Sequence, residues 1–145
     1  MSKVLIDTNV LIYSIDEDSK YFEIVHRFLS QPNHELFVTS KNISEFLSVM
    51  TRIPKSPLTI ESALIVVEDF TKMFKVLYPN AKSFSLFMML LQKYNPHGLQ
   101  IHDFEIISTA LANNISEIAT FNKRDFEKVE EIELIRFDSF VEPSS

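Results

Sequence analysis

The chain has 145 residues, 46 % of them hydrophobic, and a net charge of −6, which gives room for one domain with a sizeable core and excludes a disordered chain. It has no cysteine and a single glycine, Gly98. That excludes disulfides, thiolate metal sites and a cysteine nucleophile, and argues against the Gly-rich loops that bring backbone close to the phosphates of ATP, GTP, NAD or FAD. No apolar run approaches the roughly 18 residues that span a bilayer, and the N-terminus lacks an apolar stretch followed by a small-residue cleavage site, so a cytoplasmic location is expected.

The first stretch, Lys3–Tyr13 (KVLIDTNVLIY), sets the frame. Val4-Leu5-Ile6 reads as a short core strand, Asp7-Thr8-Asn9 as its polar end, and Val10–Tyr13 as the start of a helix. In an open α/β sheet that carboxyl edge is where ligands bind, so Asp7 is the first candidate metal ligand. Ser19–Ser30 reads as a helix through Phe22, Val25, Phe28 and Leu29, ended by Gln31-Pro32-Asn33. Leu36–Val38 is a second strand. Ser40 is then the expected N-cap of a helix to Arg52, with Ile43, Phe46, Leu47 and Met50 inward. Thr59 caps a helix over Ile60–Phe74, and Lys75–Tyr78 is a third strand. Helices are expected over Asn80–Tyr94 and about His102–Asn113, separated by Asn95–Gly98. Glu117–Thr120 is a fourth strand, Arg124–Lys128 a helical turn and Glu133–Phe137 a fifth strand. Strands alternating with helices predict a parallel sheet covered on both faces. The expectation is a single three-layer α/β/α domain over residues 1–140, with a tail over residues 141–145.

The acids follow this frame. Asp103 heads the helix face of Ile106, Ile107, Ala110 and Leu111, so it points toward the sheet, where an ionised carboxylate needs a hydrogen bond or a cation. Helix cap and metal ligand both remain open roles for it, and His102 reads as a loop or cap residue. Glu45 falls away from the apolar stripe of its helix but lies near the same sheet edge as Asp7. After the fourth strand come Thr120, Asn122 and Asp125, for which an N-cap and a local ion pair are the ordinary roles. Taken together, Asp7, Glu45, Asp103 and Asp125 gather at one edge of the sheet. Converging carboxylates repel, and an all-oxygen set without Cys or a His pair selects Mg²⁺ or Mn²⁺.

The segments LIDTNVLIY, SEFLSV and HDFEIISTALANNISEIATFNKRDF resemble the PIN-domain ribonucleases, in particular the VapC-type toxins of toxin–antitoxin pairs, over nearly the whole chain. The resemblance matches Asp7, Glu45 and Asp103 to three of the family's acids. The fourth falls two residues after Thr120, where this chain has Asn122, with Asp125 three further on as a substitute. It implies an α/β/α fold, Mg²⁺ or Mn²⁺, RNA as substrate, a homodimer and a cognate antitoxin. Thr8, Asn9 and Thr120 would orient acids or water, and Lys41, Lys123 and Arg124 are candidates for holding the RNA backbone. Phe22, Phe28 and Met50 are read as core, with a dimer or antitoxin surface as the other role. An RNA-processing enzyme of the same fold and a catalytically inactive binding module are the alternatives. An aspartyl-phosphate enzyme ranks below them, because Asn9 stands where a second Asp is needed.

Overall fold

The computed structural model describes residues 1–140, so the expected tail over residues 141–145 lies outside the described residues. β1 (Ser2–Ile6) leads through Asp7 into α1 (Thr8–Ile15) and then α2 (Phe22–Leu29). β2 (His34–Thr39) is followed by α3 (Ser40–Arg52) and α4 (Ile60–Met73), then β3 (Lys75–Leu77), α5 (Ala81–Tyr94) and α6 (Gln100–Ala112). β4 (Glu117–Ala119), α7 (Lys123–Phe126) and β5 (Glu133–Leu134) complete the order, with a 3₁₀ turn over Phe137–Phe140.

The sheet runs β3-β2-β1-β4-β5, and every pairing is parallel. Alternate side chains enter opposite layers, as the strand period of two requires. Val4, Ile6, Val38 and Ala119 pack with Val10, Phe28, Phe46 and Phe70 of α1 to α4. Leu5, Phe37 and Ile118 pack with Leu90, Phe104, Ile107 and Phe126 of α5 to α7. Burial on both faces explains why the central strands read as unbroken apolar runs. The three-layer α/β/α architecture expected from the sequence is the one observed.

Several boundaries differ from expectation, among them the start of α1 at Thr8, β2 over His34–Thr39 and α7 over Lys123–Phe126; four others have a local reason. The N-cap of α3 is Thr39, not Ser40. Thr39 is extended, its Oγ1 accepts from the Asn42 backbone N–H, and the Asn42 side chain accepts from the Thr39 N–H in return, a reciprocal box that a serine one residue later cannot close. α2 starts at Phe22, after a turn closed by Ser19 N–H to the Asp16 carbonyl at 3.0 Å. α6 starts at Gln100, so Asp103 lies one turn inside the helix and is not its cap. β5 has two residues where five were expected, because its one partner, β4, has three. Phe28 and Met50 are buried in the core, which assigns them to packing.

Phe28 is fully buried and meets the Phe137 ring edge-on, centroids 5.5 Å apart. Phe28→Ala is expected to lower the unfolding free energy in urea by about 3–5 kcal/mol. Phe84→Ala, at a position 62 % exposed, should change it by about 0.5 kcal/mol or less.

Candidate metal centre

β1 lies at the centre of the sheet, with β2 on one side and β4 on the other. The chain departs toward β2 and returns to β4 later, so the crevice between the ends of β1 and β4 is a topological switch point, the usual place for a ligand in such sheets. Asp7 and Thr120 stand on its two sides. Asp7 is the N-cap of α1, and its Oδ1 accepts from the Thr8 N–H at 2.8 Å. Its Oδ2 accepts from Thr120 Oγ1 at 2.7 Å. Asn9 bridges the seam: its Nδ2 donates to Thr120 Oγ1 at 3.2 Å, and its Oδ1 accepts from the Phe121 N–H at 3.2 Å. Asp7 is only 5 % exposed. Burial outweighs these donors and raises its carboxyl from 3.8 to about 6, with Glu45 adding a smaller push.

Glu45 is tied to α1. Thr8 Oγ1 donates to Glu45 Oε2 at 3.1 Å and accepts from Asn42 Nδ2 at 3.1 Å. Asn42 in turn accepts from Thr39 Oγ1 at 2.7 Å. A fully buried Asn thus joins the cap of α3 to the start of α1 and fixes where Glu45 stands. Asn42 escaped the sequence reading; the Thr39-x-x-Asn42 spacing, the interval of a capping box with Asn in place of Glu or Gln, was the available clue.

Asp103, in the first turn of α6, is half-buried and makes no hydrogen bond or ion pair with any described residue. Desolvation raises its carboxyl from 3.8 to about 7, followed by repulsion from Asp7, Asp125 and Glu45. Asp103 is therefore within electrostatic reach of the other three sequence-predicted acids. Asp125 is held by two amides, Asn122 Nδ2 at 2.7 Å and Gln100 Nε2 at 3.4 Å. Asn122 stands at the N-cap position of α7, as its ordinary role predicts, but without a side-chain cap bond. The ion pair expected for Asp125 is absent among the described residues, and its carboxylate bonds to the two amides instead. Gln100 had no signal in the sequence. His102 lies inside α6, 3.5 Å from Glu105, and is neither loop nor cap.

Above these groups opens a cleft of about 490 Å³ between α3 and α6, with Glu45, Asp103, Asn122 and Asp125 in its wall. Lys41 lines it and lies 3.9 Å from Glu105. Lys123 and Arg124 are exposed on α7 but are not part of the wall. Among the described residues no three His, Cys, Asp or Glu side chains are arranged to hold a metal ion as they stand. The donor chemistry nevertheless fits a hard cation. The donors are all oxygens, and the Asp103 carboxylate has no partner for its charge among the described residues.

The fold and this cleft define an α/β/α domain with an acidic site at the carboxyl edge of its sheet. The PIN domain family model matches residues 4–132, and the chain belongs to the PIN-domain family. Among solved structures it is similar to a DNA-bound VapBC from Salmonella typhimurium at 24 % identity and TM-score 0.69, covering 94 % of this chain and 99 % of that one. VapBC-1 from nontypeable Haemophilus influenzae matches at 23 % identity and TM-score 0.69, covering 94 % and 98 %. Mycobacterium tuberculosis VapC20, a sarcin-ricin loop cleaving toxin, matches at 10 % identity and TM-score 0.67, covering 86 % and 94 %. No curated protein matches the chain.

Asp7 and Asp103 bind their protons more tightly folded, at about 6 and about 7, than at the ordinary 3.8. The folded state therefore holds more protons than the unfolded one between pH 4 and 7, and stability falls as pH rises through that window. For Asp7 the rise corresponds to about 3 kcal/mol. Differential scanning of the metal-free protein should show Asp103→Asn melting several degrees above wild type at pH 7.5 and close to it at pH 4.5. A gap independent of pH would overturn this account of the cluster.

Proposed function

We propose that this PIN-domain chain is a divalent-metal-dependent endoribonuclease and the toxin of a toxin–antitoxin pair. One observation carries the reading: carboxylates from α3, α6 and α7 line one cleft, Asp7 at the cap of α1 lies within electrostatic reach of Asp103, and Asp103 has no partner for its charge among the described residues. The likeness of fold to VapBC complexes and to a toxin that cleaves the sarcin-ricin loop supports RNA as substrate and an antitoxin as partner.

Asp7, Glu45 and Asp103 would hold Mg²⁺ or Mn²⁺, with Asp125 as the fourth acid. When bound, the ion supplies an ionised water and offsets charge on the phosphate. The protein's part is placement. Thr120 and the Thr8 N–H fix both Asp7 oxygens at the switch point, with Asn9 Nδ2 a longer second donor to Oδ2 at 3.5 Å, which leaves Oδ1 a further lone pair. Thr8, held by Asn42, sets the Glu45 carboxylate. Asn122 and Gln100 hold the Asp125 carboxylate in the cleft wall. A homodimer and a small antitoxin, whose peptide would lie near the site and offer an Arg to the carboxylates, belong to the same reading.

Asp7→Asn keeps the cap and the acceptor for Thr8, so it should fold while losing Mn²⁺-dependent cleavage of single-stranded RNA by at least about a hundredfold. Parent-rate cleavage by that variant would end the proposal. Calorimetry with Mn²⁺ separates it from an inactive binding module, which should bind no ion. Asp125→Asn should weaken Mn²⁺ binding about tenfold or more; an unchanged affinity would remove Asp125 from the site.

A further inference from the structure

α3 presents one long face to the cleft. Lys41, Ser44, Glu45, Ser48 and Arg52 all line it, at positions three, four, seven and eleven after Lys41, the spacing of a single helical stripe. At about 1.5 Å per residue, Lys41 stands about 6 Å along the axis from Glu45 in one direction and Arg52 about 10 Å in the other. The facing wall carries Asp103 and Asp125, so α3 is the wall that an anionic strand can follow.

The two cations are in different states. Lys41 lies 3.9 Å from Glu105. Arg52 is exposed and makes no hydrogen bond or ion pair with any described residue. A guanidinium left open at the mouth of an acidic cleft presents a planar fork that matches phosphate oxygens. Arg52 also sits in the last turn of α3, where a cation suits the helix dipole. That role affects stability alone and predicts no effect on substrate.

We propose that the α3 stripe is the track for the backbone of a single-stranded RNA substrate, with Arg52 as the positioning residue at its far end. It rests on the nuclease reading above. With the scissile phosphate level with Glu45, Arg52 clamps a phosphate farther along the strand and Lys41 holds the neighbour on the opposite side. Ser44 and Ser48 offer hydroxyl donors on the way to Arg52. The bases then face α6, where Leu99 is 84 % exposed at the cleft.

The test is steady-state cleavage of a fluorescent single-stranded RNA octamer with Mn²⁺ across a salt series, using wild type, Arg52→Gln, Arg52→Lys and, as a control at an exposed cation on α4, Lys72→Gln. Arg52→Gln should raise KM about tenfold, the loss of one charge-assisted contact, with kcat within about twofold. The slope of log kcat/KM on log salt should become shallower by about 0.7, the value of one phosphate contact on a single strand. Arg52→Lys should recover most of the KM, Lys72→Gln should match wild type, and Mn²⁺ affinity by calorimetry should be equal in all four. A KM and salt slope unchanged in Arg52→Gln overturn the track, as does a fall in kcat with no change of slope. Failure of wild type to cut the octamer overturns the nuclease reading and the track together, and it is seen before any variant is compared.

Discussion

Thr120 Oγ1 donates to Asp7 Oδ2 across the seam between β1 and β4, two residues 113 positions apart. The acidic cleft is arranged around that contact. β1 and β4 are neighbours because the chain fills the β2 side of the sheet first and then returns to the other side. Where the connections part, backbone is absent above the strand ends, and side chains must close the space. Asp7 does so from the α1 side, as the helix cap. Thr120 does so from the β4 side, while also accepting the Asn122 N–H at 3.0 Å. One hydroxyl thus ties the first acid to the segment that carries Asn122 and Asp125.

That arrangement is under electrostatic tension. Burial holds Asp7 near 6 despite a backbone and a hydroxyl donor, and holds Asp103 near 7 with neighbouring acids adding to it. The rest of the molecule tolerates this because its two apolar layers are dense: Phe28, Phe46, Phe104 and Phe126 are all fully buried, each contributing on the order of 2–3 kcal/mol. Two wholly apolar clusters surround the sheet, and the charged cluster is confined to its carboxyl edge. Protonation and stability therefore act on the same few oxygens.

The sheet was legible because both its faces are buried, which writes strands as apolar runs such as Val4-Leu5-Ile6 and leaves Asp7 conspicuous at the end of one. The inward direction of Asp103 was legible from the stripe of Ile106, Ile107 and Ala110, all fully buried. Its lack of a cap role was not, because α6 starts earlier than any capping residue announces. Glu45 shows the limit of periodicity. Its helix wheel separates core from everything else, and a cleft belongs to everything else. What distinguishes Glu45 from a solvated acid is a chain of hydrogen bonds through Thr8 and Asn42, and Thr8 lies 37 residues away. The end of β5 was illegible for a related reason: Ile135 continues the apolar run, but strand length is set by the partner, and β4 is short.

The asparagine at position 122 has its own electrostatic logic. An aspartate there would place a fifth carboxylate at a cleft where Asp103 already feels repulsion from three. With asparagine, the group beside Asp125 becomes a donor, and its amide meets Asp125 Oδ2 at 2.7 Å. Gln100, from the facing helix α6, engages the other oxygen at 3.4 Å. Two neutral amides hold the Asp125 carboxylate one turn farther along the chain, with no Lys or Arg partner among the described residues. An amide donor orients a carboxylate without bringing the opposite charge of an Arg or Lys partner. Substituting one acid by an amide that orients another keeps the number of acids in the cluster at four and changes only which residue carries the last.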